Sequence, residues 1–346
     1  MNWNCITEIC KRFDLGSLTT QPTRVSGGLL NLMWRADTDS GVYAIKQLSK
    51  HIDLKNDNIR NNYELTEDIA YHFSQQDIRA ISALIKEGKH LIMVEDSGFL
   101  VYPWLEARGF DNTWISKHHA LQISAIIAKM HLINLKINLK VVEASEAELG
   151  IHISHRINES DRISELINKA ANLDYSFTMD LQKNEKNLLT INNLYQNAIP
   201  VLKESSVISH GDLDQKNVLW DGSDRPILVD WESARKVNST YEIANTSLDW
   251  SGIATNSFDE SIFVSMIGLY RNAGGSINKD HLEAAFHGVL GNWLNWLIFN
   301  MEGLYVNIES GTHEQQALNI EQIRGALATI LQLKSVIPKL MKNSFE

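Results

Sequence analysis

SHGDLDQKNVLWDGSDRPILVDWE, residues 209–232, is the stretch that decides how this chain is read. Two short apolar runs within it, Val218–Trp220 and Ile227–Val229, have the character of strands, and Asp221-Gly222 between them is a hairpin turn signal. His210-Gly211-Asp212 precedes the first run, Asn217 stands five residues after Asp212, and Asp230 follows the second run. One rigid hairpin would carry these three oxygen-bearing side chains to the same end. Hard oxygen donors of that kind suit Mg²⁺, held beside a carboxylate able to accept a proton. Asp and Asn are ordinary turn residues, so each alone would mean little. The ordered set carries the signal.

The pattern H-G-D-x-x-x-x-N followed by I-L-V-D-W-E resembles the aminoglycoside phosphotransferase and choline kinase families, relatives of the protein kinases. The resemblance implies phosphorylation of a small-molecule hydroxyl with Mg²⁺ and either ATP or GTP as donor. Asp212 would accept the proton of the attacking hydroxyl, and Asn217 and Asp230 would hold the metal. His210 is expected to prop the loop by hydrogen bonding. A protein kinase usually has Arg in place of Gly211 and Phe-Gly in place of Trp231-Glu232, and bounds its activation loop with A-P-E. These differences favour the small-molecule branch over a protein kinase. A nucleotide-binding regulator without turnover is the other alternative, and the filled catalytic positions count against it.

Upstream, residues 25–46 read as strand, glycine turn at Gly27-Gly28, strand, polar turn, strand. Glycines let backbone N–H groups approach a polyanion. Val42-Tyr43-Ala44-Ile45-Lys46 is a strand of the V-A-I-K kind, so the resemblance assigns Lys46 to the α- and β-phosphates. A helix over 62–74 carries Glu64 and Glu67; either could brace the lysine, and Glu67 is the choice. The strand 98–105 would end the small lobe, its backbone around Tyr102 and Trp104 meeting the base, with Pro103 removing one donor.

An amphipathic helix is expected over 3–13, and further helices over 116–135, 241–254, 258–272, 279–302 and 314–342. His131 reads as a core or capping histidine and Glu242 as structural. Trp293 and Trp296 share a stripe with Leu282, Phe286, Val289 and Asn300, which reads as core more readily than as a cation-binding wall. Residues 140–195, mixed in charge, include Glu143, Glu146 and Glu148, which could attract a polycation, although a solvated face is the commoner meaning.

The expected architecture is α+β: a two-lobed protein-kinase-like fold. Residues 1–103 would form an antiparallel sheet with one main helix, and 104–346 a mostly helical lobe carrying catalysis and substrate binding. The composition of the 346 residues, 44% apolar and 21% charged, is that of a soluble globular protein. A net charge of -10 argues against a nucleic-acid groove and mildly favours a cationic substrate. The two cysteines, Cys5 and Cys10, suggest no disulfide framework. No segment has the roughly 18 apolar residues of a spanning helix, and the start does not resemble a signal peptide. The expectation is therefore a cytoplasmic protein, monomer or homodimer, without membrane partners.

Overall fold

The computed structural model describes residues 3–25, 31–50, 52–134, 158–171, 173, 175–255 and 257–343. These form two compact units. One comprises Met1–Gly109 with Asn217–Ala234, and the other is drawn from 110–216 and 235–346.

In the first unit, β1 (Thr23–Val25), β2 (Leu32–Thr38), β3 (Gly41–Gln47), β4 (Ile92–Val94) and β5 (Ser97–Pro103) form a sheet of order β1-β2-β3-β5-β4. Every pairing in it is antiparallel. Strand residues alternate between faces. Ile45 and Val101, opposite each other, join Ile6, Ile9 and Cys10 of α1 (Trp3–Arg12) in one apolar cluster. Leu100 belongs to a second cluster with Tyr63 of α2 (Asp57–Ser74). Lys46 lies opposite Leu100, and this register turns the lysine away from α1. Helix α2 begins five residues before the expected position because Asn56 caps it, its side chain accepting the Asn58 N–H. That first turn lacks the apolar spacing by which the rest was recognised.

The strands β8 (Val218–Trp220) and β9 (Pro226–Leu228) form the expected hairpin, with β6 (Arg108–Gly109) on its edge. Trp220 pairs with Pro226, so the connection is the five-residue loop 221–225 and not a two-residue Asp-Gly turn. The Asp221 carboxylate accepts the N–H groups of Ser223 and Arg225, and Asp224, at φ 57, takes the left-handed position. The hairpin packs with the N-terminal unit, which is therefore not one continuous segment ending at 103. Trp231 stacks on Phe73 of α2 with ring centroids 5.5 Å apart. Leu228 accepts the Ile81 N–H at 3.0 Å and donates to the Arg79 carbonyl at 2.8 Å.

The second unit holds α3 (Lys117–Asn134), α4 (Ser160–Ala171), α5 (Thr178–Leu202), α6 (Ser239–Trp250), α7 (Glu260–Asn272), α8 (Leu282–Ser310) and α9 (His313–Asn343). An antiparallel ribbon pairs β7 (Ser206–Ser209) with β10 (Arg235–Asn238). Helix α8 packs against α5, α6 and α9. Phe286, Val289, Leu294 and Ile298 on it are fully buried. Gly291 lies so close to the Tyr195 ring that a Cβ there would fall 2.1 Å from it. Trp293 and Trp296 are partly buried; the Trp296 indole donates to Gln322 of α9 and its ring stacks on Phe299. Glu143, Glu146 and Glu148 lie outside the described residues. Among the described residues, no helix is long and apolar enough to cross a membrane.

Candidate active site

Lys46, at the end of β3, is the centre of the first group of charges. Its Nζ lies 2.8 Å from Asp230 Oδ1 and 2.5 Å from Glu232 Oε1. Burial alone would drive this ammonium toward neutrality. The two carboxylates outweigh burial, and its pKa sits well above the ordinary lysine value. Asp230 has φ 61 and ψ 63, a left-handed conformation uncommon for any residue but glycine. The chain then turns through the 3₁₀ segment Trp231–Ser233, which returns Glu232 to the same lysine. The Asn31 side-chain amide donates to both Glu232 oxygens, at 3.0 and 3.2 Å, while its own oxygen accepts the Ser49 N–H. Asn217 closes the 3₁₀ turn Gln215–Asn217 in front of β8; it is buried, and its carbonyl accepts the Val229 N–H at 3.0 Å.

The carboxylates paired with Lys46 are thus Asp230 and Glu232, not Glu67 or Glu64. Glu67 is buried and accepts the Ala83 N–H and the Tyr102 hydroxyl, each at 2.6 Å. Burial raises its pKa, partly offset by these hydrogen bonds and by the charge of Lys46. Glu64 accepts the N–H groups of His90 and Leu91. Both glutamates tie down the segment after α2 through the N–H groups of Ala83, His90 and Leu91. The Trp104 N–H is committed to the Val42 carbonyl at 3.0 Å, and its ring lies under the Arg35 guanidinium. Gly27 and Gly28 lie outside the described residues.

The loop carrying Asp212 belongs to the second unit. Gly211 adopts φ 76, which favours glycine, and its N–H donates to Glu242 Oε1 at 3.0 Å. Glu242 Oε2 lies 2.6 Å from His131 Nε2, and His131 Nδ1 lies 2.8 Å from the Tyr270 hydroxyl. Both residues are buried and structural, as their sequence setting suggested. Leu213 accepts the Trp250 indole N–H, and the Gln215 amide donates to the Asp249 carbonyl. Asp212 itself is exposed. Asp214, beyond it, pairs with Lys216 at 2.9 Å and accepts from Asn112 at 3.4 Å. Burial, then Asp214 and Asp212, raise the Asp249 carboxyl well above the usual range.

Sequence reading passed over Glu232 except as a family mark, and overlooked Asp214, Lys216 and Asp249. The signal available for Glu232 was its i+2 spacing from Asp230 across a sharp turn. Asp249 offered none, being brought to the loop only by the packing of α6.

A sheet whose buried lysine pairs with an aspartate at the end of a hairpin, and a helical unit carrying an H-G-D loop, define a kinase-like phosphotransferase. The chain belongs to the phosphotransferase enzyme family, whose model matches residues 22–271. Spectinomycin phosphotransferase, solved with ADP and spectinomycin, is 13% identical with a TM-score of 0.63, covering 96% of this chain and 99% of that one. An ethanolamine kinase from Plasmodium vivax is 13% identical with a TM-score of 0.57, covering 93% and 84%. An aminoglycoside phosphotransferase from Alicyclobacillus acidocaldarius is 12% identical with a TM-score of 0.57, covering 95% and 96%. At such identities the likeness speaks for the fold. A search of curated proteins found no match.

Proposed function

We propose that the protein is a cytoplasmic kinase that transfers the terminal phosphoryl group of ATP or GTP to a hydroxyl of a small cationic molecule. The observation that carries this reading is the ion pair between Lys46 and Asp230, 184 residues apart in sequence and 2.8 Å apart in space. A buried ammonium beside an exposed carboxylate is suited to a phosphate chain and its metal. Asn217 and Asp230 supply the hard oxygen donors that Mg²⁺ prefers, and the left-handed turn at Asp230 leaves its side chain 45% exposed. When bound there, Mg²⁺ would neutralise charge on the phosphates. Lys46 would hold the α- and β-phosphates. Gly27 and Gly28 would give backbone amides to them. The Trp104 N–H is held by the Val42 carbonyl, and Tyr102, opposite Ala44 in the same phase of that ladder, is engaged likewise, so the base would be met by backbone beside these two residues.

Asp212 would orient the acceptor hydroxyl and take its proton. The family's chemistry asks mainly for alignment and neutralisation of an anionic transition state. A cationic acceptor is favoured by Asp212 and Asp214, which outnumber Lys216 even with the buried Asp249 carboxyl held toward its protonated form. It is favoured also by the stacked rings of Phe110 and Trp114, 4.4 Å apart and flanking Asn112, which reaches Asp214. The test is a phosphorylation screen with labelled ATP and GTP against aminoglycosides, choline, ethanolamine, homoserine and common sugars. An amine-bearing alcohol is expected to be labelled, with labelling lost in Asp212→Asn. Labelling of neutral sugars alone would reject the cationic acceptor, and labelling of none with any donor would reject the reading.

A further inference from the structure

The carboxylate oxygens gathered at the end of the hairpin in the first unit are engaged by a cation of the protein itself. Lys46 is 5% exposed and makes ion pairs with both Asp230 and Glu232. Asn31 fixes the Glu232 carboxylate from its other side. We infer that Lys46 competes with the divalent cation for Asp230 and Glu232, so that metal and nucleotide load together and each loads poorly alone.

The inference rests on the proposed nucleotide-binding role of this centre and adds Glu232 to its metal-facing oxygens. A metal arriving alone would share both carboxylates with Lys46 and so weaken the ion pairs that compensate a buried ammonium, which is unfavourable. A phosphate group removes that obstacle. It gives Lys46 a new anionic partner, and the released carboxylate oxygens become available to the metal. The coupling is reciprocal, because whatever nucleotide does for metal affinity, metal does for nucleotide affinity.

Mn²⁺ binding followed by electron paramagnetic resonance on the purified chain, with and without ADP, tests this. The wild-type protein is expected to take up Mn²⁺ weakly alone and tightly with ADP. Lys46→Met is expected to bind Mn²⁺ without nucleotide about tenfold more tightly than wild type, a typical size for such coupling. Glu232→Gln provides a second arm independent of that variant's folding. With one carboxylate fewer on Lys46, its affinity for ADP in the absence of metal, read by calorimetry, should rise about threefold or more. If metal-free ADP binds Glu232→Gln no better than wild type, the competition is overturned. Lys46→Met gaining no Mn²⁺ affinity overturns it as well, and in both cases the proposed function stands provided wild type still loads Mn²⁺ with ADP. A wild-type protein that loads neither ADP nor Mn²⁺ overturns both.

Discussion

The centre around Lys46 and the centre around Asp212 are both crowded with carboxylates, but they resolve the crowding differently. At Lys46 one buried ammonium lies between two carboxylates, and their attraction outweighs the cost of its burial. Around Asp212, Asp214 and Asp249 the cation in contact is Lys216, whose charge is claimed first by Asp214. The consequence falls on Asp249, where burial and two neighbouring carboxylates favour the protonated form. With Asp249 held protonated, two carboxylates act on Lys216 just as two act on Lys46, but at the first centre both contact the ammonium, which suits the exchange of one ion partner for another. The second keeps an excess of negative charge, which suits a proton acceptor and a positively charged acceptor molecule.

The largest effects should separate these roles. Asp212→Asn is expected to lower kcat by about a thousandfold, within the range of a lost general base, while leaving nucleotide affinity nearly intact. Single-turnover assays and calorimetry on the same preparation check both halves. Asp230→Ala should do the opposite in its first effect, weakening Mg²⁺-nucleotide binding by about 3 kcal/mol, roughly a hundredfold. Parallel losses of affinity in the two variants would dissolve the distinction between the centres.

A third variant tests how the second centre is supported. Glu242 joins the Gly211 N–H to His131, and all of its oxygens' partners are internal. Glu242→Ala removes a buried acceptor from two donors and should cost about 3 kcal/mol of stability in urea denaturation. Activity should fall with the loop. A loss under 1 kcal/mol would show that the loop is held elsewhere.

The difference between the centres also marks what the sequence could disclose. Elements with strong periodicity were legible: α1, most of α2, β3 and the long helices, because burial writes a period of 3.6 or 2 into the chain. The placing of Asn217 before one hairpin and Asp230 after it was legible because both apolar runs lie along one local stretch. The partners of Lys46 were not. Glu67 looked suitable by its place on a helix, yet in the fold the Ala83 N–H and the Tyr102 hydroxyl claim it, and Glu232 reaches the lysine instead. Pairing across 186 positions depends on how the hairpin seats on Phe73, which leaves no local pattern. The five-residue loop after Trp220 was missed for a related reason. Asp221 caps it with its own carboxylate, and that overrides the Asp-Gly signal.

Glu67→Gln sharpens the same point with a smaller effect. An amide keeps the shape and can still accept one of the two hydrogen bonds, and Lys46 keeps both of its ion pairs. Nucleotide affinity should therefore change by less than about threefold, with stability lowered by roughly 1 kcal/mol. A loss of affinity as large as that of Asp230→Ala would mean that Lys46 passes to Glu67 once nucleotide is bound.

The smallest expected effect comes from Asp249, and its sign depends on pH. The folded chain holds this carboxyl's proton to a higher pH than the unfolded chain, where it leaves near the ordinary value of 3.8. Between those values the folded state binds more protons, so this group's contribution to stability declines as pH rises through the window. Asn at this position stays neutral and can still accept the 2.9 Å hydrogen bond from Asn245. The Asp249→Asn protein should thus melt with wild type near pH 4 and progressively above it as pH rises from there. The gain near neutral pH should be of order 1 kcal/mol, about 1–2 °C in Tm for a chain of 346 residues. A difference in Tm that does not grow with pH would mean that Lys216 already compensates Asp249. The second centre would then hold its charges in direct pairs as the first does, and the argument for a cationic acceptor would lose its electrostatic half.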